Sequence, residues 1–504
     1  MGAITNNHRV PSSDGLLIRI DTHAPEGLQQ QVYSAVRRAI VDGILTPGAR
    51  LPSSRTLAED LGVSRTTTLL AYDQLLAEGY LASRQGSGTF VARELPDDLP
   101  RQLSRRRVTQ PKHPQLSRRG LELIGIPAAA RRILGPPRAF RLGAPALDLF
   151  PLRLWSQLIG RRLRTSTMAQ LDYSDAAGFV ALREAIANHL QTSRGTRCTA
   201  DQIFVVGGAQ RGLQIACTVL LDPGDAVWLE EPGYPGARNA FVWAGARITP
   251  VRVDSDGLDV ALAARQAADA RMAYVTPSNQ FPLGVTMSMV RRQALLKWAS
   301  RAGAWVIEDD YDCEFRYEAR PLPCLHGLDH EGRVVYVGTF AKSVFPALRL
   351  GFLVVPSDLQ GKFLTARRAA DSHPPMLEQM ALADFIAEGH YARHLRRMRS
   401  AYRERLEALT DSAERLCAGA LRLRTVLSGL HVVADLDGVD AERVYREARN
   451  RGIEVTPLGM YFIGPQTANG LLLGFASTRP DGLRQGVEKL AASIDAARRP
   501  ETNG

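Results

Sequence analysis

Apolar side chains at Leu28, Val32, Val36, Ile40 and Ile44 recur at helical spacing until Thr46-Pro47-Gly48 breaks the pattern. This stripe predicts a first helix. A second, short helix is predicted from Ser54 to Leu61 and ends at Gly62, and Ser64 is placed to cap a third that runs to Glu78 before Gly79. Two short helices separated by Gly62-Val63 make a helix-turn-helix. Tyr80-Leu81-Ala82 and Thr89-Phe90-Val91 then flank a Gly-rich turn, Ser83 to Gly88, which predicts a two-stranded wing.

From about Leu142 the pattern changes. Helical stretches such as Gly178 to Thr192 alternate with apolar runs at Ile203 to Val206, Ala226 to Leu229, Met272 to Thr276, Trp305 to Ile307 and Val334 to Val337. Such alternation predicts a mainly parallel sheet covered by helices on both faces, with ligands gathered at the C-terminal ends of its strands. The last hundred residues or so turn to helix, strand, helix and predict a smaller α+β lobe.

A chain of 504 residues exceeds a single hydrophobic core, and 45% apolar residues suffice for a globular fold. The expected division is a winged helix-turn-helix over residues 22–92, a basic Pro-rich linker over 93–141 and a large domain over 142–498. The charge supports this division. Residues 1–92 hold eight arginines against eight acids, whereas 93–141 hold twelve basic residues against four acids and so carry most of the net charge of +11. That segment contains seven prolines and little periodicity that would support a packed helix. Its Arg105 to Arg107 run reads equally as a solvated tether or as a phosphate contact. A polar N-terminus and the lack of any long uncharged apolar stretch point to a cytoplasmic protein. Five scattered cysteines without Cys-x-x-Cys spacing read as reduced thiols.

After the Ser64 cap, Arg65-Thr66-Thr67-Thr68 opens the third helix with one guanidinium and three hydroxyls at the end that would enter a major groove. Three helices and a hairpin could also dock a protein. The residues Leu51-Pro52-Ser53-Ser54-Arg55, Gly62-Val63-Ser64-Arg65-Thr66-Thr67, Glu78-Gly79-Tyr80-Leu81 and Gly86-Ser87-Gly88-Thr89-Phe90-Val91 resemble the winged helix of the GntR family. The resemblance implies that Arg55, Arg65, Thr66, Thr67 and the wing residue Gly86 contact DNA. Leu70 stands where a basic residue is common in that family.

The large domain carries parts suited to pyridoxal phosphate (PLP): a lysine for an imine, a carboxylate for the pyridine nitrogen, and donors for the phosphate. Lys342 follows a predicted strand within Gly338-Thr339-Phe340-Ala341-Lys342-Ser343, and Arg349 lies seven residues on. The run Ala304 to Ile307 delivers Glu308-Asp309-Asp310-Tyr311 to another strand end. These acids could instead form ion pairs or bind a metal, though no His or Cys is spaced to complete a metal site. Gly207-Gly208-Ala209-Gln210 leads into a helix and reads as a phosphate cradle of backbone N–H groups. In this order the segments resemble fold-type I PLP enzymes, the aspartate aminotransferase superfamily. The whole chain resembles a MocR-type member of the GntR family. The resemblance assigns Lys342 to the imine, Asp309 to the pyridine nitrogen, Tyr311 to the phenolic oxygen and Tyr234 to ring stacking. It also assigns Arg349, Ala209 and Gln210 to the phosphate, with Tyr173 reaching it from the second subunit of a homodimer.

Two departures matter. Phe281 replaces the asparagine that contacts the phenolic oxygen, for which Asn279 is a nearby substitute, and Leu472 stands where many relatives carry an arginine for the ligand carboxylate. The expected function is a PLP-dependent DNA-binding regulator that senses PLP itself, or an amine or amino acid that uses Arg479 or another cation. A working aminotransferase with an appended DNA-binding domain and an empty, degenerate fold are the alternatives.

Overall fold

Serine side chains and glycine stops set the N-terminal helices. The computed structural model describes residues 20–21, 24–84, 87–96, 116–125, 138–317 and 323–499, and the chain divides into two compact units, Met1–Pro114 and Gln115–Gly504. Helix α1 spans Leu28–Val41 and buries Val32, Val36, Ala39 and Ile40. It stops earlier than the periodicity suggested: Ile44 is 67% exposed and Leu45 takes the buried place. In α2, Ser54–Leu61, the Ser53 hydroxyl accepts from Thr56 N, and Gly62 at φ 64° closes the helix in the left-handed region that glycine adopts freely. In α3, Arg65–Ala77, Ser64 caps Thr67 N in the same way. The core of this unit joins Val36, Ile40, Leu57, Ala71, Tyr72 and Leu75. Strands β1, Leu81–Arg84, and β2, Gly88–Val91, form the antiparallel wing, with Leu81 opposite Val91.

The large unit begins with a helix, α4, Arg118–Gly125, which packs against the helix Pro235–Ala244. It lies inside the stretch read from sequence as linker without a packed helix. Eight residues are too few to show periodicity.

Eight strands then build the main sheet: β3 Ile203–Val206, β4 Ala226–Glu231, β5 Arg247–Asp254, β6 Gly257–Leu258, β7 Met272–Val275, β8 Trp305–Asp310, β9 Val334–Thr339 and β10 Gly351–Val354. Their order is β3-β10-β9-β8-β7-β4-β5-β6. Strands β5, β4, β7, β8 and β9 are parallel, while β10 runs antiparallel to both β9 and β3. Alternating side chains serve two cores: Val227, Leu229 and Ile307 pack with Leu213, Phe241 and Phe363, whereas Trp228 and Val306 pack with Val260 and Leu295. Burial on both faces explains why these strands are continuous apolar runs. The C-terminal lobe is an antiparallel sheet of β11 Leu421–Leu423, β12 His431–Leu436, β13 Thr456–Pro457 and β14 Gly470–Gly474, in the order β11-β12-β14-β13. The helices His390–Leu416, Ala441–Asn450 and Pro480–Arg498 accompany it. Among the described residues no helix is long and apolar enough to cross a membrane.

Candidate functional site

The C-terminal ends of β3, β4, β8 and β9 converge on a cavity of about 770 Å³ lined by Ala209, Gln210, Tyr234, Asp309, Tyr311, Lys342 and Arg349. All seven were expected from sequence to meet one cofactor. The period of two along β8 sorts the acidic cluster. Asp309 lies on the side of Ile307 and reaches the cavity, whereas its neighbours turn away. Asp310 pairs with Arg194 at 2.9 Å and accepts from the Tyr336 hydroxyl at 2.7 Å. Glu308 accepts from the backbone of Leu325 and His326 at 2.9 and 2.8 Å.

Asp309 is buried, and one carboxylate oxygen accepts from the Tyr274 hydroxyl at 2.7 Å. The other, Oδ1, has no hydrogen-bond partner among the described residues. Burial first, and then the charge of Asp310, pushes this carboxyl up to about 7, against the pull of Tyr274 and Lys342. A buried acceptor without a donor is costly, and a protonated ring nitrogen placed here would supply the missing one.

Lys342 follows β9, and its Nζ donates to Gly143 O at 2.7 Å. Gly143 is required there twice over. Its φ is 68°, and a Cβ at this position would stand 2.5 Å from that nitrogen. Arg349 also sits in the left-handed region, at φ 53°, a rare conformation for a residue with a side chain. Its guanidinium donates to Gly207 O at 3.3 Å. Gly208, at φ 91°, caps the helix Ala209–Leu220 without a side-chain hydrogen bond. The backbone N–H groups of Ala209 and Gln210 precede those of Arg211 and Gly212, which bond Gly208 O. A helix N-terminus beside a guanidinium suits an anion such as a phosphate. The Gln210 side chain is already engaged with Gly236 O at 2.9 Å, so this residue offers its backbone to the cradle.

Tyr234 is the N-cap residue of the helix Pro235–Ala244 and meets Phe281 edge to face at 5.8 Å. Phe281 also contacts Tyr311, His431 and Tyr461, at 5.9, 5.6 and 5.1 Å. The phenyl ring that replaces the expected asparagine is therefore an aromatic hub. Asn279 does not line the cavity. It donates to the Tyr311 hydroxyl at 3.1 Å and to both oxygens of Asp312 at 3.1 and 3.0 Å, so it acts on the site through Tyr311. Tyr173 is 91% exposed and lies outside the cavity lining of its own chain. Sequence reasoning missed Asp312, Tyr274, His431 and Gly143. For Tyr274 the cause lies in the sheet: on β7 it pairs in register with Ile307 of β8, which puts it beside the Asp309 face.

In the DNA-binding unit, Arg65 and Thr66 are exposed at the start of α3. The Thr67 hydroxyl shares a 2.8 Å hydrogen bond with Ser64. Arg55 is exposed and paired with Glu59 at 3.1 Å, and Leu70 is 45% exposed. Thr68 departs from expectation. It is buried, and its hydroxyl donates to Ser54 O at 2.7 Å, so it fastens α3 to α2 and offers nothing to DNA. On the wing, Arg84 lies over the Phe90 ring at 5.0 Å. Gly86 lies outside the described residues.

Comparison with known proteins places these two units in families. Residues 28–91 match the bacterial regulatory proteins of the gntR family, and residues 151–490 match aminotransferase class I and II. The probable rhizopine catabolism regulatory protein MocR of Rhizobium meliloti is 40% identical over 95% of this chain and 96% of its own length. The chain is a MocR-type member of the GntR regulators. The pyridoxine biosynthesis transcriptional regulator PdxR of Corynebacterium glutamicum is 32% identical over 95% of this chain and 98% of its own. Among solved structures, LysN, the α-aminoadipate aminotransferase of Thermus thermophilus complexed with N-(5'-phosphopyridoxyl)-L-leucine, superposes with a TM-score of 0.68. It is 29% identical and covers 75% of this chain and 97% of its own.

This MocR-type regulator thus joins a GntR winged helix-turn-helix, whose partner is DNA, to an aminotransferase-like domain. The two positions weighed from sequence for a ligand carboxylate, Leu472 and Arg479, both lie outside the cavity lining. Leu472 is buried on β14 in a cluster with Val433, Leu458 and Tyr461. Arg479, the neighbouring candidate, is 76% exposed along its side chain and donates to Asp148 at 3.1 Å. It does not line the cavity.

Proposed function

We propose that this regulator binds PLP covalently at Lys342 and that a small molecule acting at this site alters its grip on DNA. The observation that carries the reading is the buried, partnerless Oδ1 of Asp309 in the same cavity as Lys342. PLP would supply an aldehyde for imine chemistry and a ring that withdraws electrons when its nitrogen is protonated. Asp309 would hold a proton on that nitrogen, Tyr311 would donate to the phenolic oxygen, and Tyr234 would cover the ring. Arg349 and the backbone N–H groups of Ala209 and Gln210 would hold the phosphate. Tyr173 would complete that cradle from a second copy, so the working form is a homodimer presenting two DNA-binding units to two half-sites, read by Arg55, Arg65, Thr66, Thr67 and Gly86.

The regulator reading is favoured over a working aminotransferase by the DNA-binding unit at the N-terminus, and among the described residues lining the cavity the one arginine, Arg349, is assigned to the phosphate. The test is reconstitution with PLP and reduction by borohydride. Wild type should yield a visible band that reduction fixes to Lys342, and Lys342→Ala should fold yet release PLP on denaturation. Promoter fragments around the protein's own gene should bind differently with and without PLP. Borohydride-fixed PLP in Lys342→Ala would overturn the assignment.

A further inference from the structure

Helix α3 turns an uncommon face away from its own core. At about 100° of turn per residue, its buried stripe of Thr68, Ala71, Tyr72 and Leu75 leaves Thr66, Leu70 and Asp73 within about 30° of the direction directly opposite. All three are exposed, Leu70 at 45%, and Leu69 on the flank is 44% exposed. Neither leucine belongs to the apolar core of this unit. A DNA phosphate laid against the outward stripe would meet a hydroxyl, an isobutyl group and a carboxylate that repels it. The rest of the unit adds little positive charge: residues 1–92 balance eight arginines against eight acids, and Arg55 on α2 is paired with Glu59. Contacts to base edges must therefore carry a larger share of the grip than contacts to the backbone.

The chemistry of Leu70 narrows which edge it can meet. With the start of α3 in a major groove, the reading above on which this inference rests, the residues opposite the core face the groove floor. An isobutyl group makes no hydrogen bond, and the apolar group that base pairs present in the major groove is the C5 methyl of thymine. A donor or acceptor of guanine, adenine or cytosine held beneath Leu70 would lose water and gain no partner. We propose that Leu70 is a specificity-determining residue that selects a thymine in each operator half-site by packing on its methyl group. The position where a basic residue is common in the family carries an apolar reader in this chain. Thr66, one turn earlier on the same stripe, brings a second methyl group and a hydroxyl to the neighbouring base. Asp73, one turn later, keeps the phosphate backbone away from this side of the helix.

The experiment selects the preferred sequence of the full chain from random duplex DNA and then replaces each thymine of one half-site in turn by deoxyuridine. That base keeps the pairing and the O4 acceptor and lacks only the methyl group. At one such position wild type should lose about fourfold in affinity, the worth of one buried methyl group. Leu70→Ala places a strong helix former at an exposed position, so α3 keeps its shape. This variant should bind the thymine sequence several-fold more weakly than wild type and no longer distinguish thymine from deoxyuridine there. Its affinity should keep the wild-type dependence on salt, because no phosphate contact is lost. If wild type tolerates every replacement, or Leu70→Ala still prefers the methyl group, the inference falls, while a loss of affinity in Arg65→Ala keeps α3 in the groove. If Leu70→Ala binds as wild type does, the outward leucine faces a protein rather than DNA and the inference falls as well. If Arg65→Ala binds as wild type does, the placement of α3 fails first and takes the inference with it.

Discussion

Replacing Asp309 by Asn separates what this carboxyl costs the fold from what it gives the cofactor. Its proton affinity is raised from the ordinary 3.8 to about 7, mainly by burial. A carboxyl raised on folding contributes stability at low pH and loses it as pH climbs through the folded value. By linkage, the penalty for keeping this group in the empty protein is about 2 kcal/mol at pH 5 and about 4 kcal/mol at pH 8.5. Asparagine keeps an oxygen for Tyr274 and carries no charge, so cofactor-free Asp309→Asn should gain roughly 2–3 kcal/mol on wild type between those two pH values. All five tryptophans, Trp155, Trp228, Trp243, Trp298 and Trp305, lie in the large unit, so urea unfolding followed by their fluorescence reads this unit alone. With PLP present the order reverses. The amide cannot hold a protonated ring nitrogen, and losing a charge-assisted hydrogen bond of about 1.5–3 kcal/mol should weaken PLP binding roughly ten- to a hundredfold. A stability difference that stays flat across pH 5 to 8.5, or unchanged PLP affinity, would refute the assignment.

Three further substitutions probe other joints. Gly143→Ala puts a Cβ at a position 2.5 Å from Lys342 Nζ and into a left-handed backbone; PLP occupancy read from absorbance should fall while the far-ultraviolet dichroism stays unchanged. Thr68→Val leaves Ser54 O without its side-chain donor and should destabilise the N-terminal unit by about 1–3 kcal/mol in urea, with the cofactor band unaffected. Arg65→Ala should weaken operator binding by about 1–3 kcal/mol in a gel-shift titration and leave PLP content unchanged.

Much of the architecture is legible because local chemistry and burial agree. Ser54, Gly62 and Ser64 mark helix ends that the structure places within a residue, and the apolar runs of the sheet became strands with at most small changes at their ends. Thr68 shows where a residue-type reading fails. By residue type it belongs with Arg65, Thr66 and Thr67 as a hydroxyl on the exposed helix end, yet Thr68, Ala71, Tyr72 and Leu75 share one helical stripe, and that stripe is the buried one. The signal was present in the spacing. For α4 the sequence holds less: Leu121 and Ile124 are exposed, and Leu123 reaches the cavity lining, so no stripe distinguishes the helix from a tether. Asn279 and Asp312 meet across 33 residues of sequence, a pairing set by the sheet rather than by any local pattern. The antiparallel entry of β10 between β3 and β9 is likewise a property of the assembled sheet.

The bond from Lys342 to Gly143 gives the lysine a second occupation. Gly143 belongs to the first described stretch after the basic segment, which is pinned at three other points. Arg141 donates twice to Glu454 at 2.8 Å, Phe140 bridges to Gly474, and Ala146 N donates to the Tyr402 hydroxyl at 3.0 Å. The same ammonium that would receive a cofactor therefore also serves as a fastener on the stretch that leads from α4 into the body of the large unit. A covalent bond at that nitrogen would leave it at most one proton of three and re-aim it, so the bond to Gly143 O would be given up. Cofactor binding at that atom would thereby loosen one of four fastenings on residues 140–146 of the large unit.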